Sequence, residues 1–178
     1  MSTLSDLPQV LQTERLKLRP PQVTDAPVIA SLAHNPKIAA MTATIPYPYP
    51  LSAAQEWIEH VEDSRQRGLV AAYLICRQSD EQVMGVISLR VMTTNEVNLA
   101  YWLGEPYWGQ GFCSEAAHTL LNMAKTQKIG LIIAKHLAGN TPSQAVIRRL
   151  GFQMIGQEAH NHRGQDHTFI AYTLTGQS

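Results

Sequence analysis

The sequence predicts an α/β domain of the α+β type: a mixed central sheet of about seven strands, four helices, and one pair of parallel strands flanking a cleft. Three observations carry this. The chain has 178 residues, 44% of them hydrophobic and 16% charged, which suits one globular domain with a sizeable core. Three apolar runs, at 69–77, 82–92 and 96–103, are separated only by short polar turns and read as consecutive antiparallel strands. The third run leads through a glycine loop to a helix-like stretch at 114–128 and another strand at 131–137. Strand, helix, strand of this kind is a crossover, so the two strands are expected to lie parallel and the connection to be right-handed.

Taken in order, residues 1–12 read as a loose lead-in and 13–178 as the domain. Leu16 and Leu18 alternate with polar neighbours, so 14–19 is a half-buried strand that Pro20 and Pro21 end. Thr24 or Asp25 is placed to cap a helix over 26–33, and Asn35-Pro36 stops it. Pro46-Tyr47-Pro48-Tyr49-Pro50 has too few amide hydrogens for helix or ladder, and is expected to be a stiff extended loop. Its two tyrosines suit either a packing strap or the wall of a pocket. Ser52 and Gln55 have capping-box spacing ahead of a helix that carries Trp57, Ile58 and Val61 on one face and ends near Gly68. Gly130 follows the helix at 114–128. Thr141 is read as the cap of a further helix with Pro142 at its first position, closed by Gly151. Runs at 153–159 and 166–174 form a final hairpin around 161–164.

Composition excludes several function classes. Fourteen basic and fourteen acidic residues leave no net field for bulk nucleic-acid or membrane binding. Two cysteines, Cys76 and Cys113, make neither a disulfide framework nor a zinc site, and Cys76 reads as a small core residue. The first residues lack the basic start and apolar stretch of a signal peptide, and no run reaches membrane-spanning length. The expectation is a soluble cytoplasmic protein. His160 and His162 share a strand face, but no further ligands accompany them, so no metal site is read there.

The stretch with chemical content is Tyr107-Trp108-Gly109-Gln110-Gly111-Phe112-Cys113-Ser114-Glu115-Ala116. Two glycines one residue apart allow a tight turn and close approach to a ligand. Ser114 suits a helix N-cap, which would leave the first helical amides pointing into the loop. Loop amides and helix dipole together favour an anion, most often phosphate.

These motifs, with Thr13-Glu14-Arg15-Leu16-Lys17-Leu18-Arg19-Pro20 at the start, Tyr101-Trp102-Leu103 before the loop, Asn140-Thr141-Pro142-Ser143 and Arg149-Leu150-Gly151-Phe152, resemble the GCN5-related N-acetyltransferase (GNAT) superfamily. Within it the likeness is closest to the ribosomal-protein N-terminal alanine/serine acetyltransferases, and it spans nearly the whole chain. The resemblance implies acetyl-CoA as donor and no metal. It places the cofactor against Trp102, Leu103, Trp108, Gly109, Gln110, Gly111, Phe112, Cys113 and Ser114, with Asn140 on the pantetheine arm and Ser143 near the thioester sulfur. Two positions depart from the family pattern. Cys113 stands where Gly or Ala is usual, and Asn98 where relatives often carry Glu. Asn98 cannot take a proton, so Glu96, two residues back on the same strand face, is the substitute base. Tyr47, Tyr49 and Asn98 are read as acceptor-facing.

Acetyl transfer to an amine requires a neutral amine, a polarised carbonyl, alignment, and a stabilised leaving thiolate. A protein α-amine, with reference pKa about 7.7–8.0, is partly neutral at pH 7, whereas a lysine at about 10.4 is not. Without an assured base the expected acceptor is therefore a protein N-terminal α-amine, which the resemblance implies is that of a ribosomal protein, acetylated directly with Ser143 assisting the sulfur. The alternatives are a small-molecule amine such as a polyamine, aminoglycoside or amino acid, and a CoA-binding regulatory module without turnover. The state could be monomer or homodimer.

Overall fold

The computed structural model describes residues 3–42, 44–162 and 164–174. Arg163, in the expected hairpin turn, lies outside them, as does the side chain of His162. Among the described residues eight strands form one sheet: β1 (Leu11–Gln12), β2 (Leu16–Arg19), β3 (Val70–Arg77), β4 (Val83–Thr93), β5 (Glu96–Leu103), β6 (Leu131–Leu137), β7 (Gln153–His162) and β8 (Gln165–Leu174), in the order β1-β2-β3-β4-β5-β6-β8-β7. The helices are α1 (Ala26–Ala33), α2 (Pro36–Thr42), α3 (Leu51–Gln66), α4 (Phe112–Thr126) and α5 (Thr141–Arg149).

The sheet has one more strand than expected because Leu11 and Gln12 pair antiparallel with Leu18 and Lys17. The lead-in is also not loose. Leu4, Leu7 and Leu11 are buried in the main core, and the Tyr73 hydroxyl donates to the Pro8 carbonyl at 2.7 Å. The fifth helix, α2, begins where α1 was expected simply to stop. Asn35 Oδ1 accepts from the Lys37 amide at 2.9 Å, and Pro36 supplies a first-turn φ. One dipeptide therefore ends one helix and starts the next.

Alternation along the strands builds two layers of core. On one face Leu16, Leu18, Tyr73, Ile87, Leu89, Leu99 and Tyr172 pack beneath α4, through Ala116, Ala117, Leu120 and Ala124, and α5, through Ile147. On the other, Leu74, Cys76, Val83 and Val86 meet Ala26 and Ile29 of α1 and Ala54 and Ile58 of α3. Strand β3 is buried on both faces from Val70 to Cys76, which is why it reads as a continuous apolar run.

The β5–β6 pair is parallel, as the crossover requires, with Glu96 opposite Leu131 through Leu99 opposite Ala134. Beyond that the two strands part. Ala100 to Leu103 stay paired with β4, and Lys135 to Leu137 with β8, but not with each other. The result is a wedge between two unpaired strand edges, opening toward the start of α4. Among the described residues no helix is long and apolar enough to cross a membrane.

Candidate active site

The loop that closes the wedge leaves β5 at Gly104, makes a short 3-10 turn over Glu105–Tyr107, and enters α4 at Phe112. Trp108 Nε1 donates to the Leu103 carbonyl at 2.8 Å and Gln110 Nε2 to the Pro106 carbonyl at 3.1 Å, so both side chains hold the loop against itself. Gly109 and Gly111 have φ of 71° and 80°, in the left-handed region where a side chain is strained. Gly111, not Ser114, is the N-cap of α4. The helix starts two residues earlier than expected because the left-handed glycine already turns the chain into it. The backbone amides of Gly109, Gln110, Gly111, Phe112, Cys113 and Ser114 donate to nothing among the described residues. The Ser114 hydroxyl, freed from capping, is buried and also without a partner. A concave run of unpaired amides at a helix start is the arrangement that accepts a diphosphate.

Phe112 packs into the core, so only its backbone faces the loop. Cys113 is a poor nucleophile here, because burial pushes its thiol up to about 12. Trp102 points to the opposite face, against the α1–α3 layer.

Ser143 lies in the first turn of α5, and its Oγ is 3.0 Å from the Tyr101 hydroxyl, which also donates to the Ser143 carbonyl at 3.4 Å. Burial raises the Tyr101 phenol, so it stays protonated. Tyr101 was part of the sequence motif but not singled out; its odd position on β5, facing α5, was the available signal. The cap of α5 is Asn140, whose Oδ1 accepts from the Ser143 amide at 3.2 Å, rather than Thr141. Asn140 Nδ2 donates to the Met41 carbonyl at 3.3 Å, tying this corner to α2. An open cavity of about 510 Å³ lies beside it, lined by Met41, Asn140, Asp166 and His167 among others.

The structure does not bring Glu96 to this cluster. It stands at the start of β5, where the Thr93 hydroxyl donates to it at 3.2 Å. The wedge opens after Leu99, so roughly 13 Å of strand separates Glu96 from Ala100. Glu96 and Tyr101 also face opposite sides of the sheet. Asn98 is half-buried on the Glu96 side, opposite Ile133 of β6. Tyr47 is exposed with its ring 4.9 Å from that of His34, whereas Tyr49 packs against the α1–α3 layer, where burial raises its phenol. His160 Nε2 lies 3.0 Å from Glu158 Oε2, to which Lys135 Nζ also donates at 2.6 Å.

Comparison with known proteins fits this geometry. A family model described as an acetyltransferase (GNAT) domain matches residues 15–153. The chain is 28% identical over 151 residues to an uncharacterized N-acetyltransferase p20 of Bacillus licheniformis, covering 83% of this chain and 84% of that protein. It is 28% identical over 114 residues to the ribosomal-protein-serine acetyltransferase of Escherichia coli (strain K12), covering 57% and 63%. Among solved structures it resembles RimL, a ribosomal L7/L12 alpha-N-protein acetyltransferase in complex with coenzyme A. That match has a TM-score of 0.83 at 23% identity, covering 93% of this chain and 97% of that one.

Proposed function

Because this chain belongs to the GNAT acetyltransferase family, we propose that it moves the acetyl group of acetyl-CoA to a protein N-terminal α-amine, with a ribosomal-protein N-terminus as the leading acceptor. The observation that carries the donor half is the row of unpaired amides from Gly109 to Ser114 at the mouth of the β5–β6 wedge. The likeness to ribosomal-protein acetyltransferases supports the acceptor half.

The residues have separable tasks. The loop amides hold the diphosphate. The unpaired edges of β5 and β6 take the extended arm by main-chain pairing, as an added strand would. An amide on the free β5 edge polarises the carbonyl. Ser143 donates to the sulfur as negative charge develops there. The protonated Tyr101 phenol, 3.0 Å away, keeps the Ser143 hydroxyl oriented. Cys113 takes no part, since its thiol is held protonated by burial. Transfer is direct, and the ordinary pKa of an α-amine supplies the neutral nucleophile near pH 8.

The test is thiol release from acetyl-CoA across an amine panel, with products identified by mass spectrometry. Acetylation of N-terminal peptides is expected. Release only with polyamines, aminoglycosides or amino acids would move the acceptor to small molecules. A thermal upshift with acetyl-CoA but no release for any amine would make the chain a donor-binding module.

A further inference from the structure

Arg15 sits outside the loop in sequence and beside it in space. Its Nε donates to Glu115 Oε2 at 2.7 Å, and its backbone amide to Glu115 Oε1 at 3.1 Å. Its Nη1 donates to the Gln110 carbonyl at 2.9 Å, and its guanidinium lies 4.5 Å from the centroid of the Phe112 ring. Glu115 is fixed from the other side by the Thr13 hydroxyl at 2.5 Å. The third nitrogen, Nη2, has no partner among the described residues. It lies 3.5 Å from where a Cβ on Gly111 would stand, against a glycine within the row of free amides.

An exposed ion pair of this kind contributes little to stability on its own. Its geometry is nonetheless specific. Two of the three guanidinium nitrogens are spent on aiming the planar group, and the remaining one is presented to the site. Arg in a fixed fork is suited to phosphate oxygens. Resting on the donor-binding reading above, we propose that Arg15 is a phosphate-contacting residue of the acetyl-CoA site, its Nη2 reaching an oxygen of the diphosphate or of the ribose 3′-phosphate. Thr13 and Glu115 are then the residues that hold it there. The Thr13-Glu14-Arg15 stretch at the edge of the sheet thereby completes a site whose amides come from the loop 94 and more residues later in the chain.

The experiment is calorimetric titration of the full chain and its variants with acetyl-CoA and with acetyl-3′-dephospho-CoA, each variant first shown to melt cooperatively. Arg15→Gln is expected to weaken acetyl-CoA binding about tenfold to a hundredfold, the range of one charge-assisted hydrogen bond. Arg15→Lys, which keeps the charge without the fork, should recover part of it and serves if Arg15→Gln does not fold. A loss that vanishes with the dephospho donor assigns the contact to the 3′-phosphate; a loss that persists assigns it to the diphosphate. Glu115→Gln weakens the anchor without removing the guanidinium, so it should lose part of the affinity, by less than Arg15→Gln. Equal affinity of parent and Arg15→Gln overturns the proposal. So does a salt dependence of acetyl-CoA affinity that is the same in Arg15→Gln as in the parent, which would show that Arg15 merely pins the loop. A parent that binds no acetyl-CoA removes the donor reading itself, a result separate from either.

Discussion

A single hydroxyl pair decides how much of the chemistry is local. Ser143 Oγ and the Tyr101 hydroxyl are 3.0 Å apart, and the phenol is kept neutral by burial. If Ser143 donates to developing charge on sulfur, Ser143→Ala removes an interaction stronger in the transition state than in the ground state. Turnover and the specificity constant should then fall together, by about tenfold to a hundredfold, with acetyl-CoA affinity nearly unchanged. Tyr101→Phe should cost less and should cost nothing further when Ser143 is already Ala, because the two act as one unit. Steady-state kinetics on the double-mutant cycle checks this; additive losses would separate Tyr101 from Ser143. At this scale the sequence was informative about Ser143 and silent about its partner. Ser143 follows a motif, whereas the contact with Tyr101 joins residues 42 apart and exists only once α5 lies over β5. Glu96 shows the opposite case. Strand periodicity placed it correctly on the face of Asn98, but the choice of a base there needs to know where the wedge begins. That is set by the register with β6, which no local pattern encodes.

At the scale of elements, strands were more legible than helix starts. Strands β5 and β6 follow from alternation and bounding turns, and their limits match the expected ones residue for residue. Helix α1 runs from Ala26 to Ala33 as expected, but the starts of α3, α4 and α5 shifted by one or two residues where several cap-competent residues stand close together. Helix α3 begins at Leu51 after Pro50, with no side-chain cap, so the Ser52–Gln55 box does not form. Asp25, expected to cap α1, instead accepts from the Gln22 amide at 2.7 Å and from Arg19. At α4 the left-handed Gly111 and at α5 the Asn140 side chain take the cap instead, while at α3 no side chain does. Helix α5 offers a direct check. Asn140→Ala should lower stability by about 1 kcal/mol, the ordinary worth of an N-cap, while Thr141→Ala should be near neutral. Turnover should fall further in Asn140→Ala, since the same side chain ties α5 to the Met41 carbonyl of α2. Chemical denaturation of the two variants distinguishes them; equal losses would return the cap to Thr141. For the loop, Gly111→Val forces a β-branched residue to φ near 80° with Arg15 Nη2 3.5 Å from the new Cβ. Acetyl-CoA binding should be lost before cooperative melting is.

Across the whole molecule the strongest electrostatic commitment lies far from the wedge. Arg19 at the end of β2 meets Asp25 just before α1 through two hydrogen bonds of 2.8 Å each, and Asp25 is 7% exposed. The pair, six residues apart, closes the corner where β2 passes into the α1–α3 layer, a role that Pro20-Pro21 and a cap-like Asp25 did not disclose in the sequence. Burial raises the Asp25 carboxyl, but the hydrogen bonds from Arg19 and the Gln22 amide outweigh it and hold it below its ordinary value of 3.8. Glu115 behaves alike: burial raises it, and Thr13 and Arg15 bring it below 4.5. A carboxyl depressed in the folded state contributes stability that is fully present above its unfolded pKa and is lost as pH falls through the folded one. The share of the unfolding free energy that these two carboxyls contribute should therefore be fully present down to about pH 5 and be lost progressively below about pH 4. Asp25→Asn leaves Arg19 beside a neutral amide in a buried corner, so at pH 7 it should cost about 3 kcal/mol. As pH falls the parent's own Asp25 becomes neutral, and the two curves should converge. Arg19 keeps its charge throughout, so the convergence reports the carboxyl alone. Urea unfolding of both proteins between pH 7 and pH 2.5 gives the two curves directly. A constant gap over that interval would mean that Asp25 contributes through shape and hydrogen bonding rather than through charge.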